Sequence, residues 1–482
     1  MKKIRSIFLH QTIDMNAQGE IPMKISNTLR WSALGAGAAI ALSLLSGCSQ
    51  GASNVAAHSQ VVTGLQGKAY GGQQPIAGAA IQLWGVGTSG YGSAATPLLT
   101  ATVTTSDGSG SGGNAGNGFN TYSRGSFNIT GDYTCPASDL VYITAVGGMP
   151  DLTHTNSNLV IMSALGSCSY LQANAASVFI NINEVSTVAS VWALLRFMNS
   201  YSSIGAPSSN LSGLTRAFGL VNELVDTSTG IVSGPALPAG ATIPSAELNT
   251  LANVMATCVN SAGGAANDGT NCGKLFSYSS TASNVPTDTV GAALNIARNP
   301  ATNVASIFNL TVGNAEFSPA LSASPGNWMI SINYTGAGLS APKSIAVDNS
   351  GSIWLANFSA NTISALSSAG VAISNSTGYT ASGNLNGPSS IAIDLAGNPW
   401  VANKVENNVI KLDASGNYVG TYTGSSTIST PTSLAIDGLG GVWIANAGNN
   451  SVTALNNSGA FVGNYTPAAG VSAPTTIAIN AH

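Results

Sequence analysis

Residue types able to do chemistry are few in this 482-residue chain, and the most regular of them recur. Asp348, Asp394 and Asp437 are each followed six positions on by Trp354, Trp400 and Trp443, and nine positions on by Asn357, Asn403 and Asn446. Three carboxylates in equivalent places could converge on a shared metal. The alternative is that each accepts backbone N–H groups in its own Asp-x-x-Gly turn, closed by Gly351, Gly397 and Gly440. Residues repeated unit by unit serve the unit, so the expectation is structural for the acids, the asparagines and the tryptophans, whose bulk fills space between sheets. Ser340-Ala-Pro-Lys343 has the Ser-x-x-Lys spacing of a nucleophile and its base. Its counterparts Asn386-Gly-Pro-Ser389, Ser429-Thr-Pro-Thr432 and Ser472-Ala-Pro-Thr475 make it part of the repeat. Gly108-Ser-Gly-Ser-Gly112 fits Gly-x-Ser-x-Gly but lies in a Gly/Ser tract with no strand–turn–helix around it. Glu184 and His154 stand alone, as a helix-capping carboxylate and a surface imidazole. No catalytic residue, metal or cofactor is expected.

The cysteines divide into Cys48 near the start and an even set, Cys135, Cys168, Cys258 and Cys272. In an oxidising compartment an even set pairs. Cys135–Cys168 and Cys258–Cys272 are the expected disulfides, because each pair lies within one expected domain. Zinc fits poorly: there is no Cys-x-x-Cys, and His154 is the only imidazole nearby.

The elements that hold the repeated residues begin with Ala341-Pro-Lys-Ser-Ile-Ala-Val-Asp348. The phrase returns as Gly387-Pro-Ser-Ser-Ile-Ala-Ile-Asp394, Thr430-Pro-Thr-Ser-Leu-Ala-Ile-Asp437 and Ala473-Pro-Thr-Thr-Ile-Ala-Ile-Asn480. Its prolines are 46, 43 and 43 residues apart, a period typical of propeller blades. The apolar triplets are short and β-branched, so they read as strands. A second strand carries the tryptophan and a third runs through Ile363–Leu366, Val409–Leu412 and Val452–Leu455. A fourth ends in Tyr-Thr at 379–380, 422–423 and 465–466. Each repeat is expected to be a four-stranded antiparallel meander. An orphan first strand at Thr476–Asn480 and an orphan last strand at Met329–Tyr334 flank the three.

These phrases resemble the NHL repeat of β-propellers and, more distantly, the streptogramin-lyase type of repeat, over residues 326–482. The chain departs from NHL blades in carrying Asn357, Asn403 and Asn446 where those often have Asp. Propellers close with four to eight blades. Three blades and two orphans therefore imply an open arc, completed by another chain or cut short, with blade edges open to self-association.

Ahead of the repeats, the N-terminus has the three parts of a signal peptide: a basic segment from Met23, read as the true start, then an uncharged run from Trp31, then Leu45-Ser-Gly-Cys48. Leu-Ser-Gly-Cys resembles the bacterial lipobox, which implies cleavage before Cys48, its lipidation, and anchoring at the cell envelope, the outer membrane by the serine that follows. Residues 1–48 are thus leader and 49–60 a tether. Residues 61–183 are strand-like, and Ala79-Ala-Ile-Gln-Leu83, Thr104-Thr-Ser-Asp107 and Gly125-Ser-Phe127 resemble the carboxypeptidase-regulatory or prealbumin-like type of β-sandwich. Residues 184–325 change to helical spacing, with helices expected at Leu214–Val225, Ala246–Val259 capped by Ser245, Asp288–Ala297 and Asn303–Leu310.

The fold class is thus multidomain and mainly β: a sandwich, a helical insert and an incomplete propeller. Charged residues are 7% of the chain and the formal net charge is −4, which argues against a nucleic-acid footprint. The expected function is that of a non-enzymatic, membrane-tethered envelope protein binding a protein or glycan through its repeats. The alternatives are a propeller lyase or lactonase, for which only Glu406 and His482 offer acid–base groups, and a truncated propeller without activity of its own.

Overall fold

The computed structural model describes residues 64–109, 123–130, 133–311, 313, 316–466 and 472–479. They all fall in one compact unit, Ser59–His482. Cys48 with its leader, the tether, most of the Gly/Ser tract, Asn480 and His482 lie outside the described residues.

The chain opens with two sheets. In one, β1 (Leu65–Gly71) pairs with β2 (Gln74–Pro75) and β6 (Ser126–Ile129) antiparallel, and with β9 (Phe179–Ile182) parallel. In the other, β3 (Ala80–Gly85) pairs with β4 (Thr96–Pro97), β5 (Val103–Thr104) and β7 (Leu140–Val146), and β7 with β8 (Val160–Ser167). Leu65, Phe127 and Ile180 from the first sheet share a core with Ile81, Val141, Ile143 and Ile161 from the second. β7 is apolar along nearly its whole length because both its faces are covered. Alternation sends Val141, Ile143 and Ala145 to the inter-sheet core, and Leu140 and Tyr142 to a second core under the helices. α1 (Cys168–Ala173) follows β8.

The helices are α2 (Glu184–Leu194), α3 (Leu211–Leu224), α4 (Ser245–Val259), α5 (Asn271–Ser279), α6 (Thr289–Arg298) and α7 (Val304–Phe308). They pack on the outer face of β7 and β8, so one core runs across residue 184. α2 carries hydroxyls where a buried helix would normally carry only apolar groups. The reason is the edge of β8, whose N–H groups point into the helical layer. Met162 N donates to Thr187 Oγ1, Ala164 N to Ser190 Oγ and Val160 N to Thr289 Oγ1, at 2.9, 3.0 and 2.9 Å. Buried donors need partners, and these side chains serve the edge of β8 that faces away from β7. Ser245 is the first residue of α4, not its cap; Pro244 holds that place and no side chain caps the turn. Both expected disulfides are present, with Cα–Cα separations of 5.6 Å for Cys135–Cys168 and 4.3 Å for Cys258–Cys272.

Short hairpins, β10 (Met198–Ser200) with β11 (Ser203–Ile204) and β12 (Val225–Asp226) with β13 (Ile231–Val232), join the helices. β14 (Ala241–Thr242) pairs with β15 (Asn333–Tyr334). This corrects the reading of Met329–Tyr334 as an orphan blade strand: only its last two residues are extended in a ladder, and their partner belongs to the helical region.

Three antiparallel sheets follow. The first has β16 (Pro342–Val347), β17 (Ile353–Asn357) and β18 (Thr362–Leu366). The second has β19 (Pro388–Ile393), β20 (Pro399–Asn403), β21 (Asn408–Leu412) and β22 (Tyr418–Tyr422). The third has β23 (Pro431–Ile436), β24 (Val442–Asn446), β25 (Ser451–Leu455) and β26 (Phe461–Tyr465). The expected fourth strand is missing from the first sheet. Leu366 to Tyr379 holds three more residues than Leu412 to Tyr422 or Leu455 to Tyr465. That surplus breaks the ladder into two single bridges, Ile363 with Tyr379 and Leu366 with Ala372. Nor do the described residues of Thr476–Asn480 form a strand; they run against β23, with Ile477 N donating to Ser433 Oγ at 3.3 Å.

The three sheets are joined by the same bonds in turn. Ile391 N donates to Ser344 Oγ and Leu434 N to Ser390 Oγ, as Ile477 N does to Ser433. Asn361, Asn407 and Asn450 accept, through Oδ1, from Gly387 N, Thr430 N and Ala473 N.

Candidate functional site

The repeated residues are spent inside their own sheets. Asp348, Asp394 and Asp437 each close the turn between the first two strands. One carboxylate oxygen accepts two backbone N–H groups, from Ser350 and Ser352, from Ala396 and Asn398, and from Leu439 and Gly441. The other accepts the indole N–H of Trp354, Trp400 and Trp443 at 3.0, 3.0 and 2.8 Å. At Asp437 the Trp443 indole leads the donors that hold the carboxyl below the usual range. Burial works the other way at Asp348 and Asp394, and their hydrogen-bond donors outweigh it. Lys411 adds an ion pair to Asp394 at 3.2 Å and lies 4.4 Å over the Trp400 ring.

Asn357, Asn403 and Asn446 are fully buried. Their side-chain oxygens accept from Ser340 N, Asn386 N and Ser429 N. Their amides bond Thr362 and Ser364, Asn408, and Ser451 and Thr453. The amide therefore ties the segment entering each sheet to the third strand. The tryptophans pack on Tyr379, Tyr422 and Tyr465 at 5.9, 5.2 and 5.7 Å between centroids, stacked in the first and third pairs and tilted in the second.

Residues with chemical spacing stay apart from one another. Lys343 lies 4.5 Å over the Phe358 ring, and no hydrogen bond joins it to Ser340. Glu406 accepts from Asn386 Nδ2 at 2.7 Å on the surface. His154 pairs with Asp151 at 2.7 Å in an exposed loop. Glu184 differs from its expected role. Asn183 caps α2, and the Glu184 carboxylate is fully buried with both oxygens on Gly72 N at 2.9 Å. Burial pushes its carboxyl up to about 8, with Glu316 adding to the effect. A first-turn Glu is ordinary in sequence; nothing local tells that a hairpin will close over it.

Open surfaces of the repeats include the following two. Ile345 is 62% exposed, while its counterparts Ile391 and Leu434 are 4% and 5% exposed against the preceding sheet. Beside it the helical layer takes the place of a preceding sheet: Tyr334 lies over Gly370 and bonds Glu223 at 2.8 Å, and Arg216 Nη2 donates to Ser350 O at 3.1 Å. The second is a groove of about 440 Å³ between the first and second sheets, lined by Asn375, Tyr379, Thr380, Ser382, Asn417 and Tyr418 among others.

No family model matches the chain, and no curated protein matches it. Among solved structures it is similar to hydrazine synthase of Kuenenia stuttgartiensis, at 14% identity over 30% of this chain and 40% of that one, with a TM-score of 0.24. It is similar to a streptogramin B lyase at 20% identity over 29% and 44%, TM-score 0.25. It is also similar to virginiamycin B lyase from Staphylococcus aureus at 20% identity over 28% and 44%, TM-score 0.24. The chain spans less than half the length of each of these.

Proposed function

We propose that this protein is a non-enzymatic binding and scaffold module of the bacterial cell envelope, moored by a lipid on Cys48. In this reading the three C-terminal sheets are β-propeller blades and the two N-terminal sheets a β-sandwich. The observation that carries it is the use of the repeated residues. Each Asp, Trp and Asn that a catalytic reading would recruit is already bonded within its own sheet. Binding then falls to the surfaces between and beside the blades, toward a protein or glycan of the envelope. Self-association runs through the outer strands β22 and β26, whose Val419, Phe461 and Val462 are exposed.

The test is retention of envelope components on the immobilised full chain, with mass analysis of its N-terminal peptide. Saturable retention, competed by free protein, together with an acylated Cys48 is the expected result. No retention from any envelope fraction, or metal-dependent turnover abolished by Glu406→Gln, would overturn the reading.

A further inference from the structure

The first repeat departs from its own grammar at one place. Its three extra residues fall between Leu366 and Tyr379, and they turn a ladder strand into the loop Asn375-Ser-Thr-Gly378. That loop is one wall of the inter-sheet groove. Insertions confined to one repeat of an array commonly build its binding face.

The chemistry of the groove is uniform. No charged side chain lines it. Asn375 uses its carbonyl oxygen on Thr377, and its amide N–H groups have no partner among the described residues. Asn417 gives its amide to Asp413, leaving its carbonyl oxygen open. The hydroxyls of Tyr379, Thr380 and Ser382 likewise bond no described residue. Tyr379 is held in place by its stack on Trp354 and by Gly416 beneath it. Burial and the nearby Asp413 charge push its phenol up, so it remains a neutral donor. Tyr418 adds a second, half-exposed ring.

Resting on the binding role above, we infer that this groove takes a neutral, polyhydroxylated ligand: an uncharged sugar or glycan end. Hydroxyls on such a ligand both donate and accept, which suits a mixed set of open amide, carbonyl and hydroxyl groups, and the exposed Tyr418 ring offers a face to its C–H side. A phosphate or carboxylate ligand would find no cation here, and an apolar ligand would strand the open polar groups. The next groove is a built-in contrast. There Ala460 replaces Asn417, Phe461 replaces Tyr418, and the continuous strand β22 leaves no counterpart to the Asn375 loop.

The experiment titrates the full chain with neutral mono- to tetrasaccharides built on glucose, galactose, mannose and N-acetylglucosamine, read by saturation-transfer NMR and calorimetry. At least one sugar is expected to bind saturably. Asn417→Ala with Tyr418→Ala should weaken it about tenfold or more, and Phe461→Ala should leave it unchanged. Thermal melts of each variant establish that the fold is kept, and Asn375→Ala alone provides a milder loss at the same site. No saturable binding up to about 10 mM, or binding indifferent to the double variant, would overturn the inference. Binding of uncharged peptides instead, lost in the same variant, would overturn the glycan assignment. Retention of envelope material by a protein that binds none of the sugars would sink this inference and leave the broader binding role standing.

Discussion

Tyr422 closes over Gly459 of the following sheet while its ring packs, tilted, against Trp400 of its own sheet, and no room remains at Gly459 for a β-carbon. Tyr379 holds Gly416 the same way, and Tyr334 holds Gly370 although it comes from the helical side of the chain. The tyrosine is thus the latch between successive sheets, and Tyr334 latches the array to its helical cap.

Gly459→Ala and Gly416→Ala are expected to destabilise by about 2–4 kcal/mol, since both carry positive φ and both would press a methyl into a fixed ring. Gly438→Ala, where nothing lies within 4 Å of the added carbon, should change stability little. Chemical denaturation of the three variants checks the contrast.

Asp394→Ala removes the acceptor of two backbone N–H groups and an indole, and the partner of Lys411. A loss of about 1–3 kcal/mol is expected, because the part-buried Asn398 N–H and Trp400 indole are left without partners, while water can serve the exposed Ala396 N–H. The folded carboxyl titrates below its usual 3.8. Its contribution is therefore present above that value and is lost as pH falls through the folded value. Thermal melts from pH 6 to pH 2 should show the wild type losing its advantage over Asp394→Asn only at the acid end.

Glu184 has the opposite sign. It titrates near 4.5 when unfolded and at about 8 when folded, so between those values folding takes up a proton. Its contribution is greatest below 4.5 and falls as pH rises through 8. Glu184→Gln keeps a hydrogen-bond acceptor for Gly72 without the charge. The expected outcome is a Tm difference, variant minus wild type, that grows by several degrees between pH 5 and pH 8.5. A difference that stays flat contradicts the buried placement.

The sequence was most legible where local chemistry repeats. Asp437, Trp443 and Asn446 could be assigned to a turn, a strand and its end because the same words occur three times, and a register error in one repeat would have shown against the others. The disulfide pairs were legible because Cys135 with Cys168, and Cys258 with Cys272, each fall within one expected domain. What escaped was set by tertiary contact. β8 runs from Val160 through Gly166 into Cys168 without clean alternation, since one face meets a sheet and the other meets helices. α5 is short and opens with Asn271 and Gly273, poor helix formers that only the Thr270 cap makes workable. The longer first period was visible as 46 against 43, but its consequence, a lost strand and an opened groove, depends on where three surplus residues go when only two single bridges hold the far edge of β18.

Losing Cys258–Cys272 should cost about 3 kcal/mol, the chain-entropy value for a loop of this length, given its separation of 14. Comparing the oxidised wild type with Cys258→Ala/Cys272→Ala by denaturation tests this, and an unchanged midpoint would contradict it.

Asp348, Asp394 and Asp437 act as turn-holders, each accepting backbone N–H groups of its own turn. Carboxyl-carbon NMR titration of Asp348, Asp394 and Asp437, with and without magnesium, calcium and zinc, reads this directly. Three midpoints below 3.8, unmoved by any of the metals, are the expected result. A midpoint that shifts with metal, or one of the three raised well above its fellows, would contradict it.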